Sequence, residues 1–500
     1  MDELVLVADC GSTNITVTAV GPNGELVASA SRANGPVAQA GHPEWRVWDV
    51  DAFWEKVCAC SRVVTGEVGS DRIRAVVVTT MGADGAPVTA GGELTHPPIC
   101  WQCPRTEPVA QRWSDEFGAR RLFNITGYQV ISFNTLFAIS WLRQNAPEAL
   151  DAADAWLMMP GLLNMRLCGE PSLDVTSAST MMLLDLQRGE WSDELLGELG
   201  LESSFFPDLA HPEDVIGTVT DEAAAQAGLP SGIPVVAGGH DTQFAPIGSG
   251  AGPAEAVLST GTWEIAMLRT SQPVTSDYAF EQGVSTEIDA VPGLYDPQFL
   301  MMGSGALEWV REHFYGEFED RSEAYGRMIA DAADVGPGAG GVMMSPSFKP
   351  DTGPLRRYGT RGTILGLGVG TERGQVYRAA LEGLCFQLRE ALRILREATG
   401  FEPERLRVVG GGSRNELWNR LRADICRMPV VVTERREATT VGAAIAARVG
   451  AGRFESLEQG ERRVPTETSV VEPSDRADEY EELYRRYRSI GPALEDFYRG

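Results

Sequence analysis

The chain has 500 residues, enough for roughly two to four domains of about 150 residues each. Hydrophobic residues make up 43% and charged residues 23%, which is typical of a folded globular protein and excludes a disordered one. The 70 acidic and 43 basic residues give a net charge of −27. Such a surface repels phosphate backbones, so we expect no nucleic-acid partner.

We expect no signal peptide, membrane span or zinc site. The start, Met1-Asp2-Glu3, lacks the positive charge of a signal peptide, and the apolar stretch at 155–163 is broken by Pro160 and too short for a bilayer. The pair Cys100-x-x-Cys103 has no second pair to complete a zinc site. These features predict reduced thiols and a cytoplasmic protein without a membrane segment.

Two strand–turn–strand units dominate the pattern and predict two related α/β domains. In each unit an apolar strand is followed by a short turn rich in Gly, Ser and Thr and then by a second strand. The two units are Leu4–Ala8, Asp9–Asn14 and Ile15–Val20, and then Ala256–Leu258, Ser259–Thr262 and Trp263–Leu268.

Further elements follow from hydrophobic periodicity and from turn residues. We expect a junction near Gly248–Pro253 and a charged surface helix within Ser474–Arg488. The other predicted strands and helices are Arg74–Thr80, Ile233–Ala237, Gln375–Thr399, Leu406–Val409 and Glu416–Cys426.

The two turns are candidate phosphate sites. Gly11 allows close approach of a ligand, and hydroxyls with backbone N–H groups suit phosphate oxygens, although a plain hairpin turn has the same composition. Asp9 at the strand end could hold the water shell of a metal ion. Lys56 and Lys349 are the only lysines and no G-x-x-x-x-G-K-[ST] motif occurs, so a P-loop enzyme is excluded.

Two glycine-rich segments are further candidates. Gly410–Asn415 lacks the third glycine of a dinucleotide fingerprint, which excludes that class of oxidoreductase. Its glycines would let a flat ring lie against the backbone, whereas Ser413 and Asn415 could instead cap the next helix. Asp241 follows an apolar strand and a glycine pair, where it could accept a proton from a hydroxyl or cap a helix, and His240 could contact substrate or support the structure.

Aromatic and polar residues also cluster in the first half of the chain. Aromatic faces with planar carboxylate, amide or guanidinium groups bind sugars, but the same aromatic residues could form part of the core. The candidates are Trp45, Trp48, Asp84, Trp101, Gln102 and Arg105.

In its ordered motifs the chain resembles the FGGY carbohydrate kinases. These motifs are Asp9–Asn14, Gly239–Asp241, Ser259–Thr262 and Gly410–Asn415. The family's helical signature is also present, from Gly362–Leu367 to Gln375–Glu382. A second signature runs from Phe133 to Asn145 and departs at Ala138, where the family usually has Lys.

The resemblance implies two actin-like domains of the ribonuclease-H type, with a nucleotide and sugar cleft between them. The expected parts are residues 1–247, mainly sugar-binding, 248–455, mainly ATP-binding, and an acidic extension, 456–500, with a charged helix. The family's roles carry over as Asp241 for the general base; Gly11, Ser12, Thr13, Asn14 and Thr262 for phosphates; Gly411 and Asn415 for adenosine; Asp9 and Asp241 for Mg²⁺ through water; and Ala83, Asp84, Arg105, His240, Asp241 and Thr242 for sugar.

Within the family the likeness is greatest to kinases of a deoxy ketohexose, phosphorylated on O1. The segments that carry it are Thr79–Ala86, Trp101–Thr106, Ser132–Leu136, Gly239–Ala245 and Gly261–Ile265. The alternatives are another ketose or polyol kinase of the family and a non-catalytic actin-like nucleotide-binding protein. The expected partners are a small sugar and ATP, and a homo-oligomer is left open.

Overall fold

The structure, a computed structural model, describes residues 3–349, 352–433 and 437–499. Its strands are β1 (Leu4–Cys10), β2 (Asn14–Val20), β3 (Leu26–Ala33), β4 (Val37–Gln39), β5 (His42–Val47), β6 (Ile73–Thr80), β7 (Gly85–Val88), β8 (Ala155–Met158), β9 (Leu173–Asp174), β10 (Leu184–Asp185), β11 (Glu190–Trp191), β12 (Leu209–Ala210), β13 (Val215–Thr218), β14 (Pro234–His240), β15 (Glu255–Thr260), β16 (Trp263–Met267), β17 (Ser285–Ile288), β18 (Tyr295–Met302), β19 (Met343–Ser345), β20 (Thr363–Leu365), β21 (Arg405–Val409), β22 (Val430–Thr433) and β23 (Thr468–Val471).

The α-helices follow the same order along the chain. They are α1 (Val50–Val68), α2 (Glu107–Trp113), α3 (Ala119–Thr126), α4 (Thr135–Asn145), α5 (Pro147–Asp151), α6 (Met159–Cys168), α7 (Val175–Thr180), α8 (Asp193–Leu199), α9 (Asp221–Ala227), α10 (Phe244–Ser249), α11 (Asp277–Gln282), α12 (Ser304–Phe314), α13 (Arg321–Ala333), α14 (Arg373–Thr399), α15 (Glu416–Cys426), α16 (Ala438–Gly450), α17 (Leu457–Arg463) and α18 (Tyr480–Arg499).

The first sheet has the strand order β13-β14-β6-β1-β2-β3. Strand β1 pairs antiparallel with β2 and parallel with β6, which in turn pairs parallel with β14. Asp9 and Gly239 lie on opposite sides of Thr79 in this register, and His240 lies beside Thr80. The carboxyl ends of three parallel strands therefore meet at one edge of the sheet, where α/β proteins bind ligands.

The second sheet repeats this arrangement with the order β17-β18-β16-β15-β21-β22-β23. Strand β15 pairs antiparallel with β16 and parallel with β21, as β1 does with β2 and β6. Ser259 lies beside Val409, so the turn after β15 and the glycines after β21 are neighbours. The two predicted strand–turn–strand units are confirmed, one in each sheet.

Residues near the C-terminus complete the second sheet. Strand β23, which we did not predict, pairs antiparallel with β22 at the sheet edge. The charged helix is confirmed as α18, which begins later than expected and extends to Arg499. One of its faces is buried, because Tyr480, Tyr484 and Tyr487 pack around Phe386 of α14.

Helix α16 joins the two halves of the molecule. It packs beneath the first sheet, where Val441 and Ile445 share a core cluster with Val5 and Val236. It also crosses α10 closely, since a Cβ on Gly248 would lie 1.8 Å from the carbonyl oxygen of Ala438. Glycine at this crossing lets the two backbones approach.

Two further predictions concern the membrane and the cysteines. Within residues 3–349, 352–433 and 437–499, no helix is both long and apolar enough to cross a membrane. All eight cysteines, including Cys100 and Cys103, are buried as free thiols.

Candidate active site

Two carboxylates lie near each other where β1 and β14 end. Asp9 accepts a hydrogen bond from Thr79 Oγ1 at 3.3 Å, and Asp241 follows directly after β14. Burial and the nearby charge of Asp241 raise the pKa of Asp9 to about 7. Burial also raises the pKa of Asp241, although the neighbouring His240 opposes this shift. The structure therefore brings together the two residues predicted for Mg²⁺.

The turn between β1 and β2 is held from outside by Asn34. Its backbone N–H donates to the carbonyl oxygen of Thr13 at 2.7 Å, and its side-chain Nδ2 donates to that of Gly11 at 2.9 Å. Lys56 Nζ donates to Asn34 Oδ1 at 2.9 Å. Thr13 and Asn14 remain exposed, so the turn is open to a ligand. Sequence reasoning missed Asn34 and Lys56, which carry no motif.

The glycine pair before Asp241 is required by close packing. A Cβ on Gly238 would lie 1.8 Å from the carbonyl oxygen of Val78. Gly239 has φ +146°, and a Cβ there would lie 2.2 Å from Asp174 Oδ1. Only glycine fits at both positions, and this close packing sets where Asp241 leaves the strand.

His240 lies between Asp241 and a carboxylate from the second sheet. Its Nε2 is 3.5 Å from Asp241 Oδ1, and its Nδ1 is 3.2 Å from Oε2 of Glu287 on β17. Thr242 Oγ1 lies 3.1 Å from the Nε2 atom. Burial lowers the pKa of His240, but Glu287, Asp241 and Asp174 together raise it to about 9. Sequence reasoning missed Glu287, because a single Glu in a strand carries no signal.

The predicted sugar residues Ala83 and Asp84 lie in the turn after β6. Ala83 has φ 71°, and its N–H and carbonyl groups bond to the hydroxyls of Thr180 and Thr135. Asp84 is 2% exposed, and its Oδ2 accepts the indole N–H of Trp48 and the backbone N–H of Trp101. Its Oδ1 has no partner among the described residues. Burial raises the pKa of Asp84 to about 7.

Arg105 is buried in an aromatic slot. Its guanidinium carbon lies 4.4 Å from the centre of the Trp45 ring and 5.0 Å from that of Trp141. Its Nε donates to Cys103 Sγ at 3.1 Å, whereas Nη1 has no partner within the described parts of the chain. Asp84 thus offers an acceptor, and Arg105 a donor, that no described residue satisfies.

In the second half, the turn after β15 lies against the glycines after β21. Gly410 has φ +92°, and a Cβ there would lie 2.5 Å from the carbonyl oxygen of Thr260. A Cβ on Gly412 would lie 2.3 Å from Thr260 Oγ1, whereas one on Gly411 would meet nothing within 4 Å. Thr262 is exposed at the tip of the turn. Gly411 therefore presents an open face beside it.

Asn415 serves as a helix cap. Its Oδ1 accepts the backbone N–H of Trp418 at 3.0 Å, and its Nδ2 donates to the hydroxyl of Tyr377 at 3.0 Å. The capping alternative is thus confirmed for Asn415. Ser413 instead donates to the carbonyl oxygen of Gly410 at 2.7 Å, which closes the turn.

A fully buried ion pair supports this turn from below. Arg422 Nη2 donates to Glu264 Oε1 at 2.6 Å and to Thr260 Oγ1 at 3.0 Å. The guanidinium carbon lies 3.8 Å from the centre of the Trp418 ring. Sequence patterns do not indicate this pair, because its two partners are distant along the chain.

The donor set suits a metal ion that arrives with a nucleotide. The residues of the described ranges contain no group of three or more His, Cys, Asp or Glu that could hold a metal by themselves. Mg²⁺ typically takes one or two carboxylates and completes its shell with water and substrate phosphates. Burial, and after it the nearby charge of Asp241, raise the pKa of Asp9, so the two carboxylates are close enough to fit that requirement.

Comparisons with known proteins show to which family the chain is similar. Family models for the N-terminal and C-terminal domains of the FGGY family of carbohydrate kinases match residues 4–248 and 256–451. The L-fuculokinase of Escherichia coli (strain K12) is 39% identical over 481 residues, covering 96% of this chain and 99% of the relative. The L-fuculokinase of Haemophilus influenzae is 32% identical over 476 residues, covering 94% of this chain and 100% of the relative.

Solved structures share the whole fold. The crystal structure of xylulose kinase from Rhodospirillum rubrum has a TM-score of 0.88 and 24% identity, and covers 100% of both chains. The two sheets with their helices thus form the two-domain, actin-like fold of these kinases, as predicted.

Proposed function

We propose that this chain, which belongs to the FGGY family of carbohydrate kinases and is an ATP-dependent sugar kinase, acts on L-fuculose and phosphorylates it on O1. The O1 oxygen attacks the γ-phosphorus of ATP, the bond to the β–γ bridging oxygen breaks, and ADP leaves. The hydroxyl proton passes to Asp241, and L-fuculose 1-phosphate is released.

The choice of sugar is supported by the relatives and by the site. Relatives named L-fuculokinase are 32% and 39% identical along nearly their whole length. The residues around Asp84, Arg105 and Asp241 lie in the segments on which the likeness to deoxy ketohexose kinases rests. The nearest alternative is L-rhamnulose or another ketose, because epimers differ only in the direction of single hydroxyls.

The position of Asp241 carries the proposed mechanism. It stands at the ligand-binding edge of the first sheet, next to Asp9 and the turn Gly11–Asn14. A carboxylate there can accept the proton of a hydroxyl held within hydrogen-bond reach. Phosphoryl transfer depends mainly on alignment and on neutralising charge, so a positioned Asp suffices as base.

The phosphates would be held without a P-loop lysine. Backbone N–H groups of Gly11–Asn14 and the Thr262 hydroxyl would face them from the two halves. Mg²⁺, when bound, neutralises phosphate charge, and Asp9 and Asp241 would hold it through water. The open face at Gly411 would receive the adenosine.

The sugar would satisfy two of the buried polar atoms that have no partner among the described residues. Asp84 Oδ1 would accept one hydroxyl, and Arg105 Nη1 would donate to another. Buried polar groups without partners are costly, so a ligand that supplies hydrogen bonds at both positions gains affinity and selectivity.

Coupled ADP release with Mg²⁺-ATP tests this proposal on L-fuculose, L-rhamnulose, L-ribulose, D-xylulose, D-ribulose and glycerol. We expect kcat/KM for L-fuculose to be at least about tenfold higher than for any other, or ~1.4 kcal/mol of transition-state discrimination. A preference for another sugar would contradict the substrate. If no sugar causes ADP release although ATP still binds, the result would favour a non-catalytic actin-like protein.

The base is tested by Asp241→Asn, with the exposed Asp208→Asn as control. We expect Asp241→Asn to abolish sugar phosphorylation while ATP binding persists, and Asp208→Asn to behave as the parent enzyme. Near-normal turnover by Asp241→Asn would rule out the assignment of the base.

A further inference from the structure

Glu287 is a buried carboxylate of the second sheet. Among the described residues, every side chain that hydrogen-bonds to its carboxylate belongs to the first half of the molecule, residues 1–247. Glu287 lies on β17 and is 1% exposed. Its Oε1 accepts from the hydroxyl of Tyr128 at 2.9 Å. Its Oε2 accepts from Gln243 Nε2 at 2.7 Å and lies 3.2 Å from His240 Nδ1. Three donors thus converge on one side chain from across the cleft.

This convergence keeps Glu287 ionised despite its burial. Burial alone raises the pKa of a carboxyl group, but His240, Tyr128 and Gln243 lower the pKa of Glu287 below its usual value. A buried carboxylate is stable only when its oxygens are paired. Because an ionised carboxylate only accepts hydrogen bonds, His240 Nδ1 must carry a proton toward it.

The other side of the His240 ring faces the reacting groups. Its Nε2 is 3.5 Å from Asp241 Oδ1, and the ring is 3.0 Å from the position that a Cβ would take on Gly82. Gly82 begins the turn that carries Ala83 and Asp84. The ring therefore lies between Asp241 and the turn Gly82–Asp84, within contact distance of both.

We propose that Glu287 is a positioning residue for phosphoryl transfer, which fixes the His240 ring from the second half of the molecule and so holds Asp241 in place. This inference rests on the proposed role of Asp241. Its consequence is that the base is in place only while the two halves pack together, because the anchor of His240 belongs to the opposite half.

The kinetic test uses Glu287→Gln, which keeps the shape of the side chain and removes its charge. The control is Glu281→Gln, an exposed position on α11. We expect Glu287→Gln to lower kcat about tenfold or more, since small misplacements of reacting groups are costly. KM for ATP should stay within about twofold, because the nucleotide turns do not contact Glu287. Wild-type kcat in Glu287→Gln would overturn the proposal.

A double variant tests whether Glu287 acts through His240. If it does, Glu287→Gln should lower kcat by less than about twofold in a His240→Asn background, because coupled residues are not additive. Full additivity would contradict the proposal. Glu287→Asp, which keeps the charge on a shorter side chain, should give an intermediate kcat. If Glu287→Gln does not fold, a kcat of Glu287→Asp equal to wild type would overturn the proposal.

A substrate-free measurement separates this inference from the choice of sugar. The chain has five histidines, so the imidazole N–H signal of His240 can be assigned by NMR through its loss in His240→Asn. We expect Glu287→Gln to shift or abolish this signal and Glu281→Gln to leave it in place. An unchanged signal in Glu287→Gln would overturn the anchoring role, even if no sugar of the panel were phosphorylated.

Discussion

Lys56 Nζ donates a hydrogen bond to Asn34 Oδ1, and this bond determines which way the Asn34 amide faces. A lysine ammonium group can only donate, so the amide oxygen must point to Lys56 and the amide nitrogen to the carbonyl oxygen of Gly11. The turn Gly11–Asn14 is therefore held by a lysine that bonds to Asn34 and not to the turn itself. Lys56 thus supports the turn from outside, in a chain with only one other lysine.

We expect Lys56→Met to raise KM for ATP about 2- to 10-fold, because the loss of one hydrogen bond frees the Asn34 amide to turn over. Steady-state kinetics with ATP varied at saturating sugar measures this. Lys349→Met, at the other, exposed lysine, serves as control and should leave KM for ATP unchanged. Equal KM values for the two variants would show that the bond is dispensable.

Thr262 lies at the exposed tip of the second turn, beside the open face at Gly411. We expect Thr262→Val to weaken ATP binding or turnover several-fold, as expected for the loss of a hydroxyl that bonds to phosphate, and to leave sugar binding nearly intact. Kinetics with each substrate varied in turn separates the two effects. Unchanged kinetics toward ATP would mean that this turn is only structural.

The pKa of Asp84 makes stability depend on pH. Burial raises this pKa from 3.8 to about 7. Between these two pH values the folded chain therefore keeps a proton on Asp84 that the unfolded chain has lost. The stability contributed by Asp84 is therefore present below about pH 4 and is lost as pH rises through about 7.

Asp84→Asn removes that proton binding. At pH 8 we expect the unliganded variant to have a higher Tm than the wild type and a free energy of unfolding larger by up to roughly 4 kcal/mol. Both differences should vanish near pH 4. Thermal scans across this range test it, with Asp208→Asn as an exposed control. A Tm difference independent of pH would contradict the prediction.

The same variant should raise KM for sugar, since Asn lacks the carboxylate acceptor.

The buried pair of Arg422 and Glu264 should matter more for stability than any exposed pair. We expect Arg422→Met to lower the free energy of unfolding by about 3–5 kcal/mol, because it leaves the Glu264 charge buried without a positive partner. Urea unfolding measures this. Arg462→Met, which breaks an exposed pair with Glu458, should change it by less than about 1 kcal/mol. Similar losses in the two variants would contradict the argument.

Elements with strong local signals were predicted closely. Helix α15 spans Glu416–Cys426 as expected, because its apolar spacing and the Asn415 cap are both local. Strand β14 runs to His240, beyond the predicted end at Ala237, because pairing with Thr79 and Thr80 continues through the glycine pair. Strand β23 was missed, since a short exposed edge strand depends on its partner and not on its own pattern.

The sequence by itself determined the duplicated strand–turn–strand plan and the residues proposed here for phosphate, metal and proton transfer, which are Asp9, Asp241 and the glycine turns. Such features depend on neighbours a few residues away, so they can be recognised from the sequence alone. The tertiary structure decided which side chains hold those residues in place. Glu287 lies 47 residues from His240, and Glu264 lies 158 from Arg422. Contacts of this kind arise only when packing brings distant strands together, and their hydrogen bonds leave no periodic trace in the sequence.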